Sequence, residues 1–468
     1  MVKQLFLLFI LISCGVLRGQ TLISSFPLEL KKSSTYHQLF HMPNTATNEL
    51  HVMAADRDNL HWMRYNSALF LTDSISVSKA GTDFKSFSGF GFDSYQNPTA
   101  YAVSDDFKKI TCVNYDITTK KITIRDIATD FGKETVLQVF SANTAFYILT
   151  VSEESELQLY QLDRYVIHKK SYDTRTFKIA LRNNKSQSLH DYFEQYPIER
   201  ITVNELTPLF YSTNVAKLYV LPQLLLFTFD GLATQTQVLE LDLKEEKVMV
   251  KNMPQLYPDL EGNSNSFYCN NFLFQIKATA STLFYGAVDY VTQELKLLRQ
   301  YDKEDEVAEK NTPLYLQRGS QKPEIIKKTN KFLRQIQSSA VGITALPVQD
   351  GYFLTVGGQR SSMASGAIVA GILVGVSALA ASNYDMGAYD WFDQETIRLS
   401  FFETDFDADF KFVSKDSRFF AVDYLNHFLS QNTSVTVMQS FKYKDYYLLG
   451  YYNKKEKSYL LRKFENEQ

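Results

Sequence analysis

The sequence contains 468 residues, of which 45% are hydrophobic, enough to build a large packed core. Its formal net charge of −3 and its pI near 6.2 argue against a nucleic-acid-binding protein, because such a surface would be strongly basic. The length alone suggests two or three domains, unless the chain repeats one small structural unit.

Residues 1–19 predict an export signal. Lys3 supplies the positive charge, and Leu5–Ile12 forms an apolar stretch that is too short to span a bilayer. Two endings stay open: the residues around Cys14 resemble a bacterial lipobox, in which Cys14 is acylated, and cleavage after Gly19 is the ordinary alternative. The sequence therefore predicts an exported protein of the periplasm, cell envelope or extracellular space, with membrane anchoring left open.

From about residue 45 onward a β-rich unit recurs along the chain. In each unit an apolar strand ends in an aromatic residue or Leu beside Asp or Asn, and a polar turn and another strand follow. Three clean intervals between these marks are 50, 47 and 49 residues, the length of a propeller blade. The clearest marks are Tyr115, Leu162, Leu241 and Tyr290, and weaker copies of the unit centre on Tyr65, Thr404 and Lys463.

This period predicts an all-β protein, a β-propeller of about seven blades. Six to eight blades stay open because the 79-residue interval from Leu162 to Leu241 has room for a degenerate unit. Two β-sandwiches with coincidental spacing are the alternative. Residues 20–468 are predicted to form one propeller domain, with helical or loop insertions near 174–210, 301–335, 361–390 and 416–431.

The predicted architecture resembles that of exported bacterial β-propellers, without pointing to a named family. The resemblance rests on the periodicity over roughly residues 45–468. An unpaired final strand would be a template for aggregation. We therefore expect a strand from residues 22–52 to pair with the C-terminal strands and to complete the last blade.

Residues 361–384 interrupt the pattern, since they contain no charged residue. Within them Met363–Ala381 is a run of small or apolar residues that would span about 28 Å as a helix, close to the thickness of the hydrocarbon core. The residues on either side, 352–356 and 396–402, have the pattern of neighbouring strands. The sequence therefore predicts an insert that is grafted onto a hairpin.

Small residues recur every four positions along this insert, which would allow a second helix in lipid to approach closely. We predict that the insert contacts a membrane or a partner protein. The alternatives are packing on the propeller's own surface, plugging of its channel, and a spanning helix, which would separate the two halves of one sheet. The predicted contact residues are Ala367, Gly371, Ile372, Gly375 and Val376.

The sequence lacks the G-x-S-x-G and P-loop motifs, and no catalytic or cofactor-binding residue is predicted. The run Asp405, Asp407, Asp409 resembles the start of a calcium loop, but Phe410 occupies the position where the turn needs Gly. We instead expect an exposed outer strand whose charges protect the sheet edge. No metal site is predicted.

Histidines and cysteines add little chemistry. His37 and His41 are four residues apart but lack the rest of a zinc motif. Cys112 and Cys269 lie in or beside apolar strands and are predicted to be buried thiols, with a disulfide as the alternative.

The predicted function is that of an exported cell-envelope scaffold, which binds a protein or envelope partner and needs no cofactor or nucleic acid. The alternative is a polymer-degrading hydrolase or lyase with catalytic groups on loops at the mouth of the channel. An acidic pocket with perturbed pKa values would favour the enzyme. A channel lined by apolar or hydrogen-bonded groups would favour the binding protein.

Overall fold

The computed structural model describes residues 20–31, 36–79, 86–182, 185–319, 321–361, 397–416, 418–432 and 434–466. These residues form 32 strands and four helices, so the chain is mostly β-sheet, as predicted. Strand β1 (Gln20–Pro27) comes first and joins the last sheet.

The first three sheets are antiparallel and follow one another along the chain. Sheet 1 consists of β2 (Gln38–Asn44), β3 (Glu49–Ala55), β4 (Asn59–Tyr65) and β5 (Leu71–Ser78). Sheet 2 consists of β6 (Gly89–Phe92), β7 (Pro98–Val103), β8 (Lys109–Asp116) and β9 (Lys121–Ala128). Sheet 3 consists of β10 (Thr135–Ala142), β11 (Ala145–Val151), β12 (Leu157–Asp163) and β13 (Val166–Tyr172).

An irregular stretch then leads into sheet 4. It contains the ribbon of β14 (Ile179–Ala180) and β15 (Ser186–Gln187), helix α1 (Leu189–Gln195), strand β16 (Glu199–Ile201) and helix α2 (Leu209–Ser212). β16 runs parallel to β17 and extends sheet 4 by a fifth strand. The other strands of sheet 4 are β17 (Ala216–Leu221), β18 (Leu224–Phe229), β19 (Gln235–Asp242) and β20 (Val248–Pro254).

Sheet 5 returns to the simple antiparallel order. It consists of β21 (Asn263–Cys269), β22 (Phe272–Ala278), β23 (Thr282–Asp289) and β24 (Leu295–Asp302).

Sheet 6 departs from sequence order. It contains β25 (Leu314–Arg318), β26 (Glu324–Ile326), β27 (Ala340–Val348), β28 (Gly351–Ser361) and β29 (Ile397–Asp407), and helix α3 (Thr329–Ile336) lies between β26 and β27 in the chain. The spatial order is β26, β25, β29, β28, β27. The segment of residues 301–335, expected to be helical or loop-like, contains the strands β25 and β26 and most of helix α3.

Sheet 7 joins the two ends of the described chain. After helix α4 (Ala421–Gln431), the strands β30 (Val435–Tyr443), β31 (Tyr446–Asn453) and β32 (Ser458–Phe464) follow, and β1 pairs antiparallel with β32. The register runs from Gln20 opposite Phe464 to Pro27 opposite Ser458. The predicted pairing of an N-terminal strand with the C-terminal strands is therefore confirmed.

The repeat marks have a structural reason, since they fall at or near the end of the third strand in each sheet's regular antiparallel run. These third strands are β4, β8, β12, β19, β23, β29 and β32. Asn66 follows β4, and its Oδ1 accepts hydrogen bonds from the backbone N–H groups of Ala68 and Phe70. Asp242 and Asp289 cap the turns after β19 and β23 in the same way. A side chain that caps a tight turn is favoured there because it satisfies backbone donors that leave the ladder.

Apolar cores lie between neighbouring sheets. Tyr65 of sheet 1 lies in one core with Tyr459 of sheet 7, and Trp62 of sheet 1 stacks on Tyr115 of sheet 2 with ring centroids 5.3 Å apart. Strands with a sheet on each face need apolar residues on both, which explains their nearly continuous apolar runs. Other shared cores contain Tyr101 with Phe146 (sheets 2 and 3), Leu149 with Leu218 (sheets 3 and 4), and Tyr219, Phe274 and Phe402 (sheets 4 to 6).

Helix α4 fills the space between sheets 6 and 7. Phe420, at its N-terminus, contacts Phe353 of β28 with ring centroids 4.8 Å apart. The buried face of α4 packs on β31 and β32, where Leu449 and Leu460 belong to the same core. In the described part of the chain, each sheet therefore contacts the next through apolar side chains, and for sheets 6 and 7 this contact passes through α4.

Candidate functional site

The predicted insert begins and ends at two paired strand ends of sheet 6. β28 and β29 pair without interruption from Gly351 opposite Asp407 to Ser361 opposite Ile397. The prediction that neighbouring strands flank the insert is confirmed. The five predicted contact residues, Ala367, Gly371, Ile372, Gly375 and Val376, lie outside the described residues.

A second feature is the segment of residues 198–214, here called the crossing segment, which touches strands of five sheets. It contacts sheet 4 because β16 pairs with β17, and it contacts sheet 3 because Gln138 Nε2 donates to the Ile198 carbonyl at 2.8 Å. Its centre reaches sheet 7, where Lys442 Nζ donates to the Asn204 carbonyl at 2.7 Å.

The end of the crossing segment contacts sheets 5 and 6. Asn265 Nδ2, on β21, donates to the Thr213 carbonyl at 3.0 Å, and Thr213 Oγ1 donates to Gln359 Oε1 of β28 at 3.1 Å. Helix α2 lies so close to β27 that a Cβ atom on Gly342 would be 2.5 Å from Ser212 Oγ. The crossing segment thus lies against β10, β17, β21, β27 and β30, here called the first strands of the regular antiparallel runs in sheets 3 to 7.

Glu199 lies in the crossing segment, and the pKa of its carboxyl is strongly shifted. Burial raises its pKa to about 8, against the lowering influence of the nearby Arg200 and Lys217 cations. Asn214 Nδ2 donates to Glu199 Oε2 at 3.2 Å. Although the residue keeps some exposure, enough protein surrounds the carboxyl to favour its neutral form.

A buried ion pair lies beside this carboxyl and is fully hydrogen-bonded. Lys217 Nζ donates to Asp230 Oδ2 at 3.0 Å, to Asn265 Oδ1 at 2.6 Å and to the Asn214 carbonyl. Asp230 also accepts from Thr236 Oγ1 at 2.7 Å. Burial lowers the pKa of Lys217, while Asp230 acts in the opposite direction. Each of the three ammonium protons has an acceptor, so this cluster has a structural role and joins sheets 4 and 5.

The acidic run at Asp405 is not on an exposed outer strand, which corrects the expectation from sequence. β25 covers the outer edge of β29 only as far as Phe401, and the edge at Asp405 is covered by two other segments: the Asp405 backbone N–H donates to Asn311 Oδ1 at 2.8 Å, and the Asp405 carbonyl accepts from the Val413 N–H at 2.9 Å. Asp405 is therefore only 1% exposed. Its Oδ1 accepts from Arg418 Nε at 2.6 Å and lies 3.1 Å from Lys415 Nζ. Asp407 Oδ1 accepts from the backbone N–H groups of Asp409 and Lys411, so the D-x-D-x-D pattern is a capped turn.

Glu403, two residues earlier on β29, is the second carboxyl with a raised pKa. Burial raises its pKa to about 7, and the negative charges of Asp423 and Asp405 act in the same direction. Neither Glu199 nor Glu403 was predicted from the sequence. Lys217 could have been noticed, because it interrupts the apolar strand Ala216–Leu221. Carboxyls on strands give no comparable signal, because their burial depends on distant segments.

His37, His41 and the two cysteines are buried within the structure. His41 Nδ1 lies 2.8 Å from Gln439 Oε1 and His41 Nε2 lies 2.9 Å from Tyr459 Oη, so both ring nitrogens have partners. His37 Nε2 lies 3.4 Å from the Lys31 carbonyl. Cys112 and Cys269 are free buried thiols, as predicted, and form no disulfide with each other.

Two open clefts occur on the described surface. One, of about 860 Å³, is lined by residues at the ends of sheets 4 and 5, including Arg182, Thr234 and Gly262. The other, of about 730 Å³, is lined by a mixture of lysines and acids, among them Lys303 and Glu306. Glu199 and Glu403 line neither cleft, so the raised carboxyl pKa values and these clefts do not coincide.

Within the described ranges, no helix has the length and apolar character needed to cross a membrane.

Comparisons with known proteins assign no family. No protein-family model and no curated protein matches the sequence. A solved structure of cobalt-substituted Synechocystis ACO aligns with a TM-score of 0.28 and 7% identity over 57% of this chain and 61% of that chain, so less than two thirds of it is spanned.

Two other solved structures give similarly low scores. The uncharacterized protein lmo1340 from Listeria monocytogenes EGD-e aligns with a TM-score of 0.28 and 12% identity, over 70% of this chain and 82% of that chain. The WD40 domain of SCAP from fission yeast aligns with a TM-score of 0.26 and 10% identity, over 95% and 97% respectively. These similarities are too low to indicate a shared fold or function.

Proposed function

We propose that the protein is an exported β-propeller of about seven blades that acts as a binding scaffold of the cell envelope. Three observations support the propeller: seven sheets of four or five strands in the described chain, shared cores between successive sheets, and a seventh sheet built from both chain ends. A ring of stacked sheets leaves few exposed strand edges. The crossing segment can then lie across the first strands of several sheets. The apolar stretch within residues 1–19 supports export.

The observation that carries the binding role is the register at the root of the insert. Ser361 and Ile397 are cross-strand partners, so the chain leaves sheet 6 and re-enters it at the same strand ends. A single membrane crossing would place these two partners on opposite sides of a bilayer. An uncharged run joined at one point of an intact sheet is suited to contact a membrane or a partner protein through Ala367, Gly371, Ile372, Gly375 and Val376.

The hydrogen-bonded groups at the first strands support a binding role over catalysis. The Lys217 ammonium group is fully paired, and the crossing segment contacts the first strands of five sheets. Such groups are not free to act on a substrate. We therefore propose that binding takes place outside the channel, at the root of the insert.

Deletion of residues 362–396 tests this proposal. Ser361 and Ile397 would be joined by a short Gly/Ser turn, which suits two directly paired strand ends. We expect unchanged far-UV circular dichroism and thermal unfolding, and loss of binding to vesicles or to envelope extracts. The control replaces the same residues with a Gly/Ser linker of equal length. A deletion variant that unfolds would show that the insert is part of the core or a channel plug, and would refute the proposal.

Glu199 favours one alternative, a hydrolase or lyase that acts on an exported polymer. A carboxyl with a pKa of about 8 is protonated at neutral pH and is a suitable general acid. Hydrolysis or β-elimination of exported polysaccharides by the wild type, and its loss in Glu199→Gln but not in a Glu153→Gln control at an exposed turn, would support the enzyme.

A further inference from the structure

Three arginines lie side by side at the root of the insert. In the register of sheet 6, Arg318 of β25 is directly opposite Arg398 of β29, and Arg398 is directly opposite Arg360 of β28. The next pair toward the insert is Ser361 with Ile397. Directly opposite residues project from the same face of a sheet, with Cβ atoms about 5 Å apart. These three residues are here called the arginine row.

Among the described residues, the arginine row has few counter-charges. Arg318 forms an ion pair with Glu324, and among the described residues this is the acid that pairs with the row. Arg360 and Arg398 are exposed and make no ion pair within the described ranges. Like charges directly opposite each other destabilise a sheet. An anion from outside the described chain would remove this repulsion.

Two other cations lie on elements that adjoin the row. Lys322 lies in the turn between β25 and β26, and Arg334 lies in the last turn of α3. The end of α3 is close to the row, because a Cβ atom on Gly358, two residues before Arg360, would be 3.4 Å from Ile336. Residues 318–337 contain six Lys or Arg and one acid, a net charge of +5 in a protein whose total is −3.

We propose that the arginine row binds the phosphate groups of anionic phospholipids. The planar guanidinium group forms paired hydrogen bonds with phosphate oxygens, and cations beside an apolar segment are attracted to an anionic membrane surface. The position of the row agrees with this, because it borders the strand ends at which the apolar insert begins and ends. This inference rests on the proposed membrane contact of the insert and adds the lipid class that the site recognises.

The test compares vesicles of pure phosphatidylcholine with vesicles that also contain phosphatidylglycerol, using the full chain in a sedimentation assay. The double variant R360Q/R398Q removes two cations of the row. The matched control K121Q/K244Q removes two exposed lysines that follow the third strands of sheets 2 and 4. Circular dichroism and gel filtration would establish that both variants fold.

We expect the wild type and the control to bind anionic vesicles more tightly than neutral ones. In R360Q/R398Q that preference should fall at least about tenfold, since each surface cation contributes appreciably to membrane attraction. The preference should also weaken as salt is raised. Equal binding of the two vesicle types by the wild type, or an equal loss in the control, would overturn the inference. Binding of duplex DNA in place of vesicles would overturn it too.

The deletion of residues 362–396 separates the two proposals. If the insert contact fails but the arginine row acts as proposed, the deletion variant keeps an arginine-dependent preference for anionic vesicles. If neutral vesicles bind through the insert and R360Q/R398Q changes nothing, the insert contact holds and the lipid-headgroup inference is wrong.

Discussion

Acidification should weaken the junction between the chain ends through His41. This residue lies on β2 of sheet 1, is 1% exposed, and contacts sheet 7 through Gln439 and Tyr459. Its ring also stacks on Phe441 with centroids 4.8 Å apart. Gln439 Oε1 can only accept, so His41 Nδ1 carries the proton and Nε2 accepts from the Tyr459 hydroxyl. A second ring proton would oppose that hydroxyl and would place a buried charge between two sheets.

The sign of the effect follows from the pKa. Burial lowers the pKa of His41 from 6.5 to about 4, with its hydrogen bond to Gln439 acting in the opposite direction. The unfolded chain therefore binds a proton at a higher pH than the folded protein does. The stability from neutral His41 is present above pH 6.5 and is lost as pH falls from 6.5 to about 4. The loss between pH 7 and pH 5 is about 2 kcal/mol, since one pKa unit corresponds to ~1.4 kcal/mol.

The measurement is equilibrium unfolding in urea, followed by tryptophan fluorescence at pH 7, 6 and 5 and constant ionic strength. His41→Gln keeps a donor and an acceptor but cannot titrate. The difference in the free energy of unfolding between the wild type and this variant should shrink as pH falls. Carboxyls with raised pKa values, such as Glu199, contribute equally to both proteins and cancel in this difference. The control is His168→Gln, on the exposed strand β13. A parallel loss of stability in His41→Gln and wild type between pH 7 and pH 5 would show that His41 is not the titrating group.

Three further substitutions test other parts of the structure. Lys217→Met should cost about 3–5 kcal/mol because it leaves Asp230 charged and buried, whereas Lys217→Met combined with Asp230→Leu should recover much of that loss in urea unfolding. Glu199→Gln should reduce the loss of stability as pH rises from 4.5 through 8, because the folded protein holds this proton longer than the unfolded chain; an unchanged pH profile would contradict the raised pKa. Gly342→Ala should lower the melting temperature by forcing α2 away from β27, and a variant as stable as the wild type would show that Ser212 moves freely.

Local chemistry allowed much of the β architecture to be predicted from the sequence. The Asp or Asn after a sheet's third strand caps a turn within a few residues of itself, as Asp242 does, so its pattern recurs wherever that turn recurs. The strands on either side of the insert were recognisable because their apolar patterns match across β28 and β29. The pairing of the chain ends followed from the need to cover a last edge, and β1 covers β32.

Only the tertiary structure decided which distant segments meet. β25 joins sheet 6 although three strands and a helix separate it from β29 in the chain. Asp405, expected to be an edge charge, is a buried ion-pair partner because the distant residues Asn311 and Arg418 meet it. The pKa of Glu199 likewise depends on its surroundings rather than on its neighbours in sequence. The arginine row exists because three strands are in one register, which no local pattern specifies. Periodicity and turn chemistry are local properties that the sequence displays, whereas burial and charge proximity result from long-range pairing, which depends on the whole chain.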